Sequence, residues 1–142
     1  MITFREITEG LDLEEAVDSQ GQDPSAKAAE LVARAFAARN AAHFAHLMTP
    51  SYAAHIALNE FYEGIIPLVD SFAESYIGRY GKFQMFPNVK ESSPDGLSIV
   101  GNLTKWLDSN RATISDMSEI QNIIDEILSL CNSAAYKLRE LK

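Results

Sequence analysis

The sequence predicts an all-α fold, a four-helix bundle in one domain. Three observations predict it: an alanine-rich run before Met48, an apolar stripe of helical period from Leu58 to Tyr76, and an apolar seam spaced by three and four from Met117 to Leu141. The length of 142 residues and a hydrophobic fraction of 46% suit a single core. The domain is expected over residues 23–142, behind an acidic, partly helical arm of residues 1–22 with weak apolar spacing at Phe4, Ile7 and Leu11.

The first helix is expected to start at "DPSAK". There Asp23 can cap free N–H groups and Pro24 suits the first helical position. It should run to Met48 with Val32, Phe36, His43 and Leu47 on one inward face. "TPS" at 49–51 ends it, because Thr49 before Pro50 is pushed out of helical geometry. The second helix is expected over 51–80, its inner stripe made of Leu58, Tyr62, Ile65, Val69, Phe72 and Tyr76. Pro67 inside it predicts a kink near Glu63, and two shorter helices meeting there are the alternative.

Residues 81–96 have turn chemistry and no period, and they are long for a hairpin between neighbouring helices. Such a segment can span a bundle and return the chain to the same end. The third helix is expected over 97–114 with Val100, Leu103, Trp106 and Leu107 inward. The fourth should start near Asp116, where "DMSE" has the spacing of a capping box. Its seam is Met117, Ile120, Ile124, Ile127, Cys131, Ala134, Leu138 and Leu141, and "KLRELK" places cations at its C-terminal end. Two short-linked helices, a long crossover between the second and third, then two more short-linked helices is the ferritin-like order.

Charge and composition exclude several classes. The formal net charge is −8, and the first 23 residues hold seven acids against a single Arg5. Nucleic acid binding needs clustered Lys and Arg, so DNA is not an expected partner. No apolar run reaches the length of a membrane span, and no apolar stretch follows a basic start as in a secretory signal. A lone Cys131 makes no internal disulfide and suits a reducing cytoplasm, with the thiol expected in the core.

No Glu stands three residues before His43, His46 or His55, so the in-bundle di-iron motif is absent. No Ser-His-Asp or Cys-His signature and no Gly-rich phosphate loop is present either. What remains is a set of five: His43, His55, Asn59, Asp70 and Glu74. If the chain folds back at Thr49–Pro50, His43 and His55 lie about 8–10 Å from the turn on facing helices. His46 is expected to point to solvent. Asp70 and Glu74 share a face, but His55 and Asp70 are about 22 Å apart along one helix. A shared metal therefore needs a second chain, with a two-fold interface placing His43 and His55 of one copy beside Asp70 and Glu74 of the other. Mixed imidazole and carboxylate ligands suit iron, with zinc able to substitute, better than calcium.

The stretch from "AAHF" to "RYG" resembles the Dps mini-ferritins. It has a His, a second His twelve later, a polar residue four after that, then Asp and Glu at fifteen and nineteen beyond the second His. The resemblance implies an iron-binding ferroxidase that oxidises Fe(II) with peroxide or oxygen and sequesters it at sites between subunits. It also implies a self-associating chain, from a homodimer up to a dodecamer, with His43, His55, Asn59, Asp70 and Glu74 as the metal set. Asn59 stands where the family carries an acid. The competing expectation is a non-catalytic ferritin-like bundle that acts as a binding or structural module.

Overall fold

The computed structural model describes residues 23–142, and the expected acidic arm lies outside them. Among the described residues the chain forms four α-helices and no strand: α1 (Ala26–Met48), α2 (Tyr52–Tyr80), α3 (Gly96–Ile114) and α4 (Ser118–Glu140). The all-α four-helix reading therefore holds, and each boundary lies within two residues of its expected place.

α1 begins two residues later than its capping signal implies. The Asp23 carboxylate accepts the Ser25 N–H at 2.9 Å and the Ser25 hydroxyl at 2.8 Å, and Ala26 N–H reaches the Asp23 carbonyl at 3.0 Å. Asp23 thus fixes the turn around Pro24, and Ser25 is the N-cap residue. The expected inward face needs correction. Val32 is buried, but Phe36 and Leu47 are 42% and 68% exposed. The side that meets the core is Ala28, Leu31, Ala35, Ala38, Ala42 and Ala45, spaced by three and four. Small residues on that seam let α1 approach its neighbours closely. The bulkier Phe36 and Leu47 lie about 100° or more round the helix from it.

α2 follows a three-residue turn, and its N-cap Ser51 accepts the Ala54 N–H at 3.2 Å. All six residues of its inner stripe are buried. Pro67 lies on the exposed side of one uninterrupted helix, so the alternative of two shorter helices does not hold. Solvent there can serve the carbonyl that the missing proline N–H leaves unpaired. The helix stops at Gly81, whose φ of 96° is open to glycine and costly for other residues.

Residues 81–95 carry no helix. The segment starts with Phe83 stacked on Tyr76, ring centroids 5.3 Å apart. It ends at Pro94 and Asp95, which border a cleft with Ala45, Met48 and Leu138 at the C-terminal ends of α1 and α4. Asp95 caps α3 by accepting the Ser98 N–H at 3.1 Å. α3 then starts hard against α2: a Cβ on Gly96 would come within 2.8 Å of Leu58 Cδ2. Val100, Leu103 and Leu107 are buried as expected. Trp106 is half-buried, with the Arg34 guanidinium 5.1 Å and the Lys27 ammonium 5.9 Å from its ring centroid, which ties α3 to α1.

The expected capping box does not form. The N-cap residue of α4 is Met117, without a side-chain cap. Ser115 holds the turn instead: its Oγ accepts the Met117 N–H at 3.1 Å, and its carbonyl accepts from Gln121 Nε2 at 2.5 Å. Ile120, Ile124, Ile127, Cys131 and Ala134 are buried along the seam, and Leu138 is partly buried against the core. Leu141 lies past the helix end and is 45% exposed.

α1 packs on α2 and α3, and α4 packs on the same two helices. The two short turns make α1–α2 and α3–α4 antiparallel pairs, and the segment 81–95 lets α2 and α3 run in the same direction. One core fills the space between all four. Among the described residues no buried side-chain N or O lacks a hydrogen-bond partner.

Candidate functional site

The three histidines gather where α1 leaves the bundle and α2 enters it. His46 Nδ1 donates to the His55 carbonyl at 2.7 Å, and His55 Nδ1 donates to the His46 carbonyl at 2.9 Å. A carbonyl only accepts, so the hydrogen bonds assign the proton to Nδ1 on both rings. The two rings stack with centroids 3.7 Å apart. This reciprocal clasp closes the α1–α2 turn and supplies a donor to one of the last carbonyls of α1, which have no partner within the helix. His46 is 8% exposed, so the expected solvated position is corrected: it is the buried half of the clasp.

His43 sits one turn back on α1, its ring 5.9 Å from that of His46 and stacked on Tyr62 at 4.0 Å. Arg39 lies 5.2 Å from the same Tyr62 ring. The Tyr62 hydroxyl donates to Asn59 Oδ1 at 2.7 Å. The amide of Asn59 therefore completes the hydrogen bonding of a buried phenol. The expected set of five is split within one chain. His43, His55 and Asn59 share this corner, whereas Asp70 and Glu74 are exposed further along α2, about 22 Å beyond His55 in the case of Asp70. Among the described residues no group of three His, Cys, Asp or Glu side chains converges as a metal site would.

Sequence reasoning missed His46, Tyr62 and Arg39 as members of this cluster. The signal was the three-residue step from His43 to His46, which puts both on the flank of α1 that meets α2. It also missed the apolar surface beside the cluster. Phe44, Leu47, Met48 and Tyr52 are 66–78% exposed around the turn. On the other side of the turn a cleft of about 450 Å³ is lined by Ala45, Pro50, Ala54, Leu58, Leu97 and Leu138, among others.

Comparison with known proteins gives the lineage. Residues 46–138 match the model of a family of unknown function, DUF5856. The chain belongs to that family. DUF5856 thus covers α2, α3 and most of α4, together with the His46–His55 clasp. The chain is also similar to an uncharacterized 14.6 kDa protein encoded in the mobD-ri intergenic region of Enterobacteria phage T4. The two are 31% identical over 121 residues, covering 84% of this chain and 93% of the phage protein. No solved structure matches.

Membership of DUF5856 overturns the resemblance to Dps. The spacing that suggested it has an ordinary cause. Positions 55, 59, 70 and 74 fall on one flank of a long helix, and a flank beside solvent carries polar residues at those intervals in many bundles.

Proposed function

We propose that this DUF5856 chain is a non-catalytic helical bundle that works as a binding module, with the outward side of the α1–α2 hairpin as its working surface. The observation that carries this reading is the cluster of large apolar side chains there: Phe36, Phe44, Leu47, Met48, Tyr52 and Ile56 are 40–78% exposed. Large apolar side chains left exposed in such number on one hairpin favour an interaction surface. The histidines beside it hold the hairpin in shape, so their role is to present the surface. We also read the helix order as ferritin-like, supported by the long segment 81–95 and the parallel course of α2 and α3. The buried free thiol of Cys131 suits a reducing cytoplasm.

The test is site-specific photo-cross-linking in cells, with a photoreactive amino acid at Phe44 and, as control, at Asp108 on the exposed side of α3. A discrete adduct at position 44 and none at 108 is expected. Equal adducts at both positions, or none at 44, would remove the reading. Purified protein given Fe(II) and peroxide should show no ferric absorbance beyond that of His43→Ala. Oxidation that this substitution abolishes would instead make the chain an iron-oxidising protein.

A further inference from the structure

We propose that the outward face of α1 seats a second copy of this chain, packed antiparallel across a two-fold axis between Asn40 and Ala41. The proposal rests on reading that face as a binding surface and names its occupant.

α1 carries two seams on opposite sides. One is the core seam of Ala28, Leu31, Ala35, Ala38, Ala42 and Ala45. The other runs through Ala33, Ala37, Asn40, Phe44 and Met48, again at steps of three and four, with Phe36, Ala41 and Leu47 on its margins. None of these eight outward residues is charged. Phe44, Leu47 and Met48 are 66%, 68% and 70% exposed, and Ala33, Ala37 and Ala41 are half-buried. Glu30 and Arg34 border this seam at its N-terminal end and pair with each other at 2.7 Å, which leaves the seam from Ala37 to Met48 uncharged. Among the described residues, the other helices cover only the core side of α1.

The outer seam is complementary in size to itself. An antiparallel pairing in which residue numbers sum to 81 sets Phe44 of one copy on Ala37 of the other, Met48 on Ala33, and Asn40 beside Ala41. The two-fold axis repeats each contact. Phe44 and Met48, the two large side chains on the seam itself, thus each meet an alanine, which is the knob-and-hole relation that close helix packing needs. The same register opposes no like charges, since Arg34 comes across from Leu47 and Glu30 from Ser51. A nucleic acid or an acidic peptide would need cations that this seam lacks.

The area also fits. At their exposures Phe36, Phe44, Leu47, Met48 and Tyr52 present on the order of 500 Å² per copy, taking about 150–250 Å² for a fully open large side chain. The alanines and Asn40 add to this, against about 800 Å² per partner in a standard interface.

Sedimentation equilibrium of the full chain at micromolar concentration should return twice the chain mass of 15.7 kDa. Phe44→Glu with Met48→Glu should return the single-chain mass with the helical circular dichroism unchanged, because both side chains lie outside the core. Asn40→Cys in a Cys131→Ala background should oxidise to a covalent dimer, and Asp108→Cys in the same background should not. A wild-type chain that sediments as a monomer overturns the proposal. A dimer that survives Phe44→Glu with Met48→Glu, or cross-links at 108 as readily as at 40, also overturns it. If the wild type is monomeric but a photo-adduct at Phe44 still forms with a different protein, the second copy is refuted and the binding surface stands. With neither dimer nor adduct, both fail.

Discussion

The His46–His55 clasp shows how one side chain can be assigned two roles from sequence and perform a third. A histidine near a helix end reads as a ligand, as His55 did, or as a solvent-facing side chain, as His46 did, yet these rings donate to each other's backbone carbonyls at 2.7 and 2.9 Å and stack at 3.7 Å. Each such bond contributes about 0.5–1.5 kcal/mol net, and the stack adds to it. His46→Ala should therefore lower stability by about 1–3 kcal/mol. A double-mutant cycle with His55→Ala in urea titrations should return a coupling of at least about 0.5 kcal/mol. Strict additivity would show that the two rings stabilise the turn independently. The position of His43 was legible as facing α2. That it would stack on Tyr62 rather than point to a ligand was not, because the sequence does not say which ring of α2 arrives beside it.

At the scale of the element, α1 was misread and α2 was read correctly for related reasons. From Leu58 to Tyr76 the large apolar residues of α2 lie in the core or at its edge, so size reports direction there. In α1 alanine fills the core seam and the large residues Phe36, Phe44 and Leu47 point out. A search for large apolar side chains therefore picked the wrong side. The helices also carry unused propensity. A Cβ on Gly78 of α2 or Gly101 of α3 would meet nothing within 4 Å. Gly78→Ala and Gly101→Ala should each raise stability by about 0.5–1 kcal/mol, since alanine loses less backbone freedom on entering a helix. A rise in thermal midpoint for each, additive in the double variant, is the expected readout; a fall would mean that these glycines serve a contact outside the single chain.

At the scale of the whole molecule, two groups in the core link folding to alkaline pH. Burial pushes the Tyr76 phenol up to about 12, with Tyr80 and Asp23 adding to the rise. Burial pushes the Cys131 thiol up to about 11, against a hydrogen bond with Thr104 that lowers it. In the unfolded chain the thiol would ionise near 9.0 and the phenol near 10.0. Between those values and the raised ones the unfolded state holds fewer protons than the native state, so stability falls as pH rises. The thermal midpoint should thus be level near neutrality, decline from about pH 9 and steepen above about pH 10. Cys131→Ala should move the onset of the decline up towards pH 10. An unchanged onset would show that the thiol is not the first group to release its proton. No helix among the described residues is long and apolar enough to cross a membrane.

Taken alone, the order of residues determined that there would be four helices, where each would start and stop to within two positions, and which side of α2 and α4 would be inward. These follow from local propensity, proline and serine punctuation and the period of the large apolar residues, all of which act within a few residues of each other. The separation of His55 from Asp70 along α2 also followed from helix rise alone. Tertiary structure alone decided which side of α1 is the core, that His46 is buried against His55, and that His43 stacks on Tyr62. Those outcomes depend on which neighbour packs against which flank. Alanine and histidine are tolerated on either side of a helix, so only the packed neighbours settle which way they face.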